Sequence, residues 1–133
     1  MSTMKSRLQV LKKAVFLDRD GVVNQDLYFV HKWEDFHIFS DVIDFLRRAT
    51  LKKYLIVIVT NQSGIARGLY KEKDFKILMR HFENYLLKFN IKDIKVIYCP
   101  HHPDGKVSEF RQYCDCRKPG VGMIKRAQKN YGI

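Results

Sequence analysis

Three short apolar runs punctuate the chain, and each stops at polar residues. The first, Ala14 to Asp18 (AVFLD), ends in a carboxylate and is followed by Gly21, the pattern of a buried strand leading into a turn. The second, Leu55 to Thr60 (LIVIVT), is rich in β-branched residues and runs into Asn-Gln-Ser-Gly; the third, Ile94 to Tyr98, follows Asp93. Between them the apolar positions change to a helical period. Val42, Ile43, Phe45, Leu46 and Ala49 form one stripe, and Phe75, Leu78, Met79, Phe82, Leu86 and Phe89 form a second. A last helix is expected to begin at Pro119, with Met123, Ile124, Ala127 and Tyr131 on one side. Strands alternating with helices predict right-handed crossovers and an α/β fold, a Rossmann-like parallel sheet with helices on both faces. Ligands of such sheets bind beyond the carboxyl ends of the strands, so Asp18, Thr60 and Cys99 are expected on one rim.

Length and composition narrow this picture. A chain of 133 residues, 46% of them hydrophobic, is enough for one core, and a single domain over residues 1–133 is expected. No apolar run approaches the roughly 18 residues of a membrane span. Met1 to Lys13 carries no apolar stretch of signal-peptide length, so a soluble, monomeric cytoplasmic protein with no membrane partner is expected. All three cysteines fall within eighteen residues, a poor disulfide framework but a good metal-ligand set, which suits a reducing compartment. The net charge of +11 attracts anions of any kind, yet its lysines and arginines are spread along the chain, many on outer helix faces. No RNA-binding or helix-turn-helix signature accompanies the charge, and two carboxylates at the rim repel a phosphate backbone when no metal is bound. A phosphorylated small molecule is therefore expected as partner, and nucleic acid is not.

The candidate chemistry sits at the strand ends. Phe16-Leu-Asp-Arg-Asp-Gly-Val-Val-Asn24 places Asp18 and Asp20 two residues apart. Carboxylates this close resist joint ionisation without a cation nearby, which suggests magnesium, although D-x-D-G by itself equally describes a solvent-facing turn. One carboxylate can attack phosphorus and the other can serve as acid and base, so Asp18 is assigned as nucleophile and Asp20 as proton donor and acceptor. Thr60-Asn-Gln-Ser-Gly-Ile-Ala-Arg-Gly68 offers hydroxyl, amide and backbone donors for phosphate oxygens, from Thr60, Asn61, Gln62 and Ser63, though it also reads as an ordinary polar turn. Cys99, His101, Cys114 and Cys116 form C-x-H-x12-C-x-C, three thiolates and one imidazole, a closed shell that describes a structural zinc rather than a catalytic one. The residues themselves leave open whether His101 or the adjacent His102 supplies the imidazole. Arg117-Lys118-Pro119 follows directly, placing two cations beside the expected helix start.

Together these segments resemble the motifs of the haloacid-dehalogenase-like (HAD-like) hydrolases. The string D-x-D-G-V-V-N matches the first motif, and the resemblance implies an aspartyl-phosphate mechanism with magnesium held by Asp18 and the backbone carbonyl of Asp20. The T-N-Q-S-G-I-A-R-G string is similar to the second motif as found in the capless branch containing heptose-bisphosphate and histidinol-phosphate phosphatases, where the Thr60 position meets the transferring phosphoryl group. C-x-C-R-K-P resembles the third, which implies Lys118 at the phosphoryl group and Arg117 in substrate recognition. By the same resemblance Asp26 to Phe29, including Tyr28, contact the sugar, although the branch's usual Gly-Tyr is here Tyr28-Phe29.

The long C-P-H-H-P-D-G-K-V-S-E-F-R-Q-Y-C-D-C loop resembles that of the heptose-bisphosphate phosphatases of this branch, which implies a heptose 1,7-bisphosphate, cleaved at its 7-phosphate, over histidinol phosphate, the alternative substrate. The family's fourth motif, a G-D-[KR]-x-x-D-like segment, is absent before Ile133. A domain truncated at its carboxyl end is therefore expected, and these residues alone should be a poor phosphatase. A basic zinc-binding remnant without catalysis is the alternative from a different class.

Overall fold

The computed structural model describes residues 10–133; the expectation about a leader at the start of the chain falls mostly outside them. Three parallel strands, β1 (Ala14–Leu17), β2 (Leu55–Asn61) and β3 (Lys95–Cys99), form one sheet in the order β1-β2-β3. Ala14 lies opposite Leu55, and Asn61 opposite Cys99, so the carboxyl ends of all three strands open on one side. The strands fall within a residue of the apolar runs, because those runs are what a sheet covered on both faces requires. Three helices, α1 (Val42–Leu51), α2 (Glu72–Leu87) and α3 (Gly122–Tyr131), supply the cover.

Alternation along β2 divides the core. Ile56 and Ile58 join Leu46, Phe75, Leu78 and Phe82 from α1 and α2, whereas Val57 and Val59 pack with Ile97, Met123 and Ala127 of α3. Successive strand side chains point to opposite faces, so this split puts helices on both sides of the sheet, as expected. Two details of the helical stripes differ from expectation. In α1 only Val42, Leu46 and Ala49 are buried, and Phe45 is 47% exposed because an i, i+4, i+7 stripe leaves it on the outer flank. The last helix starts at Gly122 rather than Pro119, since Gly120 and Gly122 both press against the Asp115 carbonyl, where an added Cβ would stand 2.6 Å away. Residues 117–121 thus turn before the helix begins. No helix among the described residues is long and apolar enough to cross a membrane.

Candidate active site

The turn after β1 is built around a buried arginine. The Arg19 backbone carbonyl accepts from the N–H groups of Val22, Val23 and Asn24, closing a tight loop in which Gly21 takes a φ of 89°. Inside that loop the Arg19 side chain is only 1% exposed and lies over the rings of Phe36 and Phe75. Its guanidinium grips Asp20 through Nε–H to Oδ2 (3.1 Å) and Nη2–H to Oδ1 (2.8 Å), and Nη2 also donates to the Val30 carbonyl. Asn24 and Gln62 donate to the remaining lone pairs of the same carboxylate. The position of Asp20 is therefore fixed by four N–H contacts from three side chains.

Asp18 is held differently. Its Oδ1 accepts from the Arg19 backbone N–H and from Lys118 Nζ at 2.8 and 2.9 Å, whereas Oδ2 has no hydrogen-bond donor among the described residues. With its side chain 46% exposed, Asp18 presents that second oxygen to solvent at the strand end. Lys118 is itself tethered, its Nζ donating to the Val59 carbonyl and its backbone N–H to Asn61 Oδ1, while Asn61 Nδ2 donates back to the Lys118 carbonyl. Asn61 and Lys118 are 57 residues apart in sequence, and the strand-end convergence of a parallel sheet is what brings them into contact.

Behind this pair lies a buried polar relay. Thr60 Oγ1 accepts from Gln62 Nε2 at 2.9 Å, and the Tyr70 hydroxyl donates to Gln62 Oε1. Burial is the main reason that the Tyr70 phenol is pushed up to about 12, the Asp20 charge adding to the effect against that of Arg19. Tyr70 can sit here only because residue 64 is glycine: a Cβ on Gly64 would lie 2.1 Å from the tyrosine ring. Gly64→Ala is accordingly expected to expel Tyr70, destabilise the fold by about 3 kcal/mol through overpacking, and release Gln62 from Asp20 and Thr60. Denaturant titration would measure the first effect, with phosphate-release kinetics for the second; an unchanged variant would show that the relay tolerates rearrangement.

A cleft of about 200 Å³ opens here, lined by Asp20, Asp26, Tyr28, Phe29, Asn61, Gln62, Ser63 and Tyr70. A larger groove of about 550 Å³ lies at the opposite, amino end of the strands among Lys12, Leu55, Lys95 and Gly132, away from every group described above. Asp26, Tyr28 and Phe29 are exposed at the cleft mouth, and the Asp26 carboxylate accepts the Tyr28 N–H. Tyr28 and Phe29 have φ values of 63° and 56°, the left-handed conformation that a glycine adopts without cost.

The four zinc-ligand candidates converge. One donor atom from each of Cys99, His101, Cys114 and Cys116 lies within 4.8 Å of all the others. Cys114 Sγ is 3.4 Å from both Cys99 Sγ and Cys116 Sγ, and His101 Nδ1 is 3.8 and 3.4 Å from the latter two. A tetrahedral zinc with Zn–S bonds near 2.3 Å has sulfur pairs about 3.8 Å apart, so the donor set fits a zinc ion. Cys99 and Cys116 stand in contact as a disulfide pair would. That pairing gives no reason for Cys114 and His101 to point at the same spot, whereas a metal does. The loop folds back on the turn after β2: Val107 N–H donates to the Ala66 carbonyl, and Gly105 lies so close that a Cβ would meet Ala66 at 2.8 Å.

The site residues read from the sequence thus lie on one rim, with a difference in how they are used. The Asn61 and Gln62 side chains, expected on the substrate, bond Lys118, Tyr70, Asp20 and Thr60, of which Lys118 and Asp20 are brought there by the convergence of the strand ends. Arg19, Asn24 and Tyr70 were not singled out from the sequence. An arginine between two aspartates reads as surface charge, and only its burial reveals its role.

Residues 15–132 match the polynucleotide kinase 3 phosphatase family. The chain is 45% identical over 121 residues to the D-glycero-alpha-D-manno-heptose-1,7-bisphosphate 7-phosphatase of Photorhabdus laumondii, covering 91% of this chain and 66% of that protein. A Mesorhizobium loti protein described as a HAD-like phosphatase superposes with a TM-score of 0.84 at 28% identity, over 92% of this chain and 58% of the other. The D,D-heptose 1,7-bisphosphate phosphatase of B. bronchiseptica, complexed with magnesium and phosphate, superposes with a TM-score of 0.80 at 32% identity, over 91% and 64% of the two chains. The fold is therefore the HAD-like one. The chain spans less than two thirds of the length of each of these relatives.

Proposed function

The chain belongs to the polynucleotide kinase 3 phosphatase family, and we propose that it serves as a magnesium-dependent phosphatase acting on the 7-phosphate of a D-glycero-D-manno-heptose 1,7-bisphosphate in the cytoplasm. The observation that carries this reading is the asymmetric Asp18 carboxylate: one oxygen is tied to Lys118 and a backbone N–H, and the other meets no donor among the described residues. A carboxylate so held can attack only with Oδ2. That oxygen forms a bond to phosphorus, the bond from phosphorus to the sugar oxygen breaks, and Asp20, protonated at Oδ2 in place of its 3.3 Å contact from Gln62, supplies the proton that the departing oxygen needs. Water then attacks the aspartyl-phosphate with Asp20 taking its proton, and inorganic phosphate leaves.

Lys118 and Thr60 face the charge that builds on the phosphoryl oxygens, and Lys118 brings its ammonium without reorganisation because Asn61 and Val59 already hold it. Magnesium would be held by Asp18 and the backbone carbonyl of Asp20, where it would offset phosphate charge. Arg117 directly follows Cys116 and precedes Lys118, and a guanidinium there suits anion recognition. Three thiolates kept as metal ligands call for a reducing compartment. The small cleft between Asp26, Phe29 and Tyr70 suits one sugar phosphate better than a polymer.

The test is phosphate release, with magnesium, from heptose 1,7-bisphosphate, histidinol phosphate and an oligonucleotide 3′-phosphate. Preference for the bisphosphate by tenfold or more supports the proposal. Preference for either other substrate would replace the substrate and keep the chemistry.

A further inference from the structure

The amino ends of the strands, at the far end of the sheet from Asp18 and Lys118, gather positive charge that has no partner in the fold. Two grooves meet there, of about 550 and 370 Å³, and they share Leu11, Lys12 and Leu55, so together they form one channel across the foot of the sheet. Six lysines line it: Lys12, Lys95 and Lys129 in the larger part, and Lys12 again with Lys13, Lys53 and Lys92 in the smaller. Asp93 is the one acid among the described residues that line it. Among the described residues none of these lysines pairs with a carboxylate, the ion pairs of the fold lying elsewhere. The six come from before β1, after α1, the start of β3 and α3, and the parallel sheet collects them because all its strands enter from the same end. Like charges so placed repel one another, and a polyanion laid along them relieves that repulsion.

The rest of the lining narrows the partner. Val10 and Leu11 are 85% and 70% exposed beside Lys12, and half-buried Leu55 lines both grooves, so the channel offers aliphatic contacts as well as charge. Its two aromatic rings, Tyr54 and Tyr131, are each faced by an ammonium, of Lys13 at 6.0 Å and of Lys95 at 5.4 Å, which takes up a face that a nucleobase would stack on. Residues 1–9 include Lys5 and Arg7 and no acid, and the chain carries a net charge of +11, so neither its own start nor a second copy complements the channel. The backbone around it is fixed, with the Lys12 N–H donating to the Gly132 carbonyl and the Leu55 N–H to the Lys13 carbonyl. We infer that this channel docks an acidic segment of a partner protein, one that carries aliphatic side chains among its carboxylates. The carboxylates meet the lysines, and the aliphatic groups meet Leu11 and Leu55. This surface is independent of the phosphatase reading and stands whether or not the opposite rim releases phosphate.

The experiment follows the fluorescence anisotropy of a short labelled peptide of alternating Glu and Leu on the full chain. The variants are Lys12→Glu, Lys129→Glu and, as a charge control outside the channel, Lys73→Glu; all three lysines are exposed. Phosphate release and melting temperature are expected to stay at their wild-type values in each. Peptide binding is expected to weaken about tenfold or more in the two channel variants, the size of one lost charge-assisted contact, and by less than about twofold in Lys73→Glu. No binding at low salt, or an equal loss in Lys73→Glu, would overturn the inference, the second by showing a response to net charge alone. A Glu-Gly peptide that binds as tightly would also overturn it, because the aliphatic contacts would then contribute nothing. Tighter binding of oligothymidylate or of phosphatidylglycerol vesicles, lost in Lys12→Glu, would replace the acidic protein by nucleic acid or membrane and overturn the proposed partner.

Discussion

Asp18→Asn is expected to reduce phosphate release by about 10⁴-fold or more, the scale on which removing a covalent nucleophile acts, while leaving the fold nearly as stable as before. Both halves follow from the same geometry. An asparagine retains a carbonyl oxygen able to accept from the Arg19 N–H and from Lys118, so the structural contacts at Oδ1 survive. What disappears is the second oxygen, the one free to attack. The lost ion pair to Lys118 counts for little, because Asp18 is nearly half exposed and such pairs contribute at most about 1 kcal/mol. Thermal unfolding alongside a phosphate-release assay would separate the two. Activity within tenfold of the wild type would mean that Asp18 is not the nucleophile. A large drop in melting temperature would mean that its charge holds the rim together.

The second large effect concerns the cysteines, where zinc and a disulfide predict different outcomes for one variant. With zinc in the shell, Cys114→Ser removes a ligand as important as any other, and stability should fall by several kcal/mol, beyond the roughly 1 kcal/mol of a typical substitution. The loss would extend to activity, because Cys116 is two residues from Lys118 and the loop positions it. If a bond between Cys99 and Cys116 alone held the loop, Cys114→Ser would be nearly silent, while Cys99→Ser and Cys116→Ser would each be costly. Elemental analysis adds an independent check: one zinc per wild-type chain, lost in Cys114→Ser. The loop carries little apolar burial apart from its cysteines, with Gly105 and half-buried Val107 and Phe110 as its inner positions, so no core would compensate for the missing metal.

Much of this could be read along the chain. The three apolar runs predicted the strands to within a residue, because a sheet covered on both faces needs continuous apolar sequence and little else has that signature. The spacing of Cys99, His101, Cys114 and Cys116 predicted the ligand cluster, because a tetrahedral shell demands four soft donors and the chain has three cysteines. Asp18 and Lys118 are candidates for the chemistry through their motifs. Their pairing at 2.9 Å follows from the shared rim of the sheet.

Tertiary structure decided the roles of the residues between those landmarks. Nothing local distinguishes Arg19 from a surface arginine; burial beneath Phe36 and Phe75 makes it the anchor of Asp20. Asn61 and Gln62 look like phosphate ligands in sequence, and in the fold their side chains bond Lys118 and Tyr70, 57 and eight residues away. The contact of Arg67 with His102, 35 residues apart, is equally invisible in the sequence. Periodicity and ligand spacing are properties of neighbouring residues, and so the sequence alone determined the elements and the metal shell. Which donor meets which acceptor depends on crossovers that bring distant strand ends together, and only the folded chain could decide that.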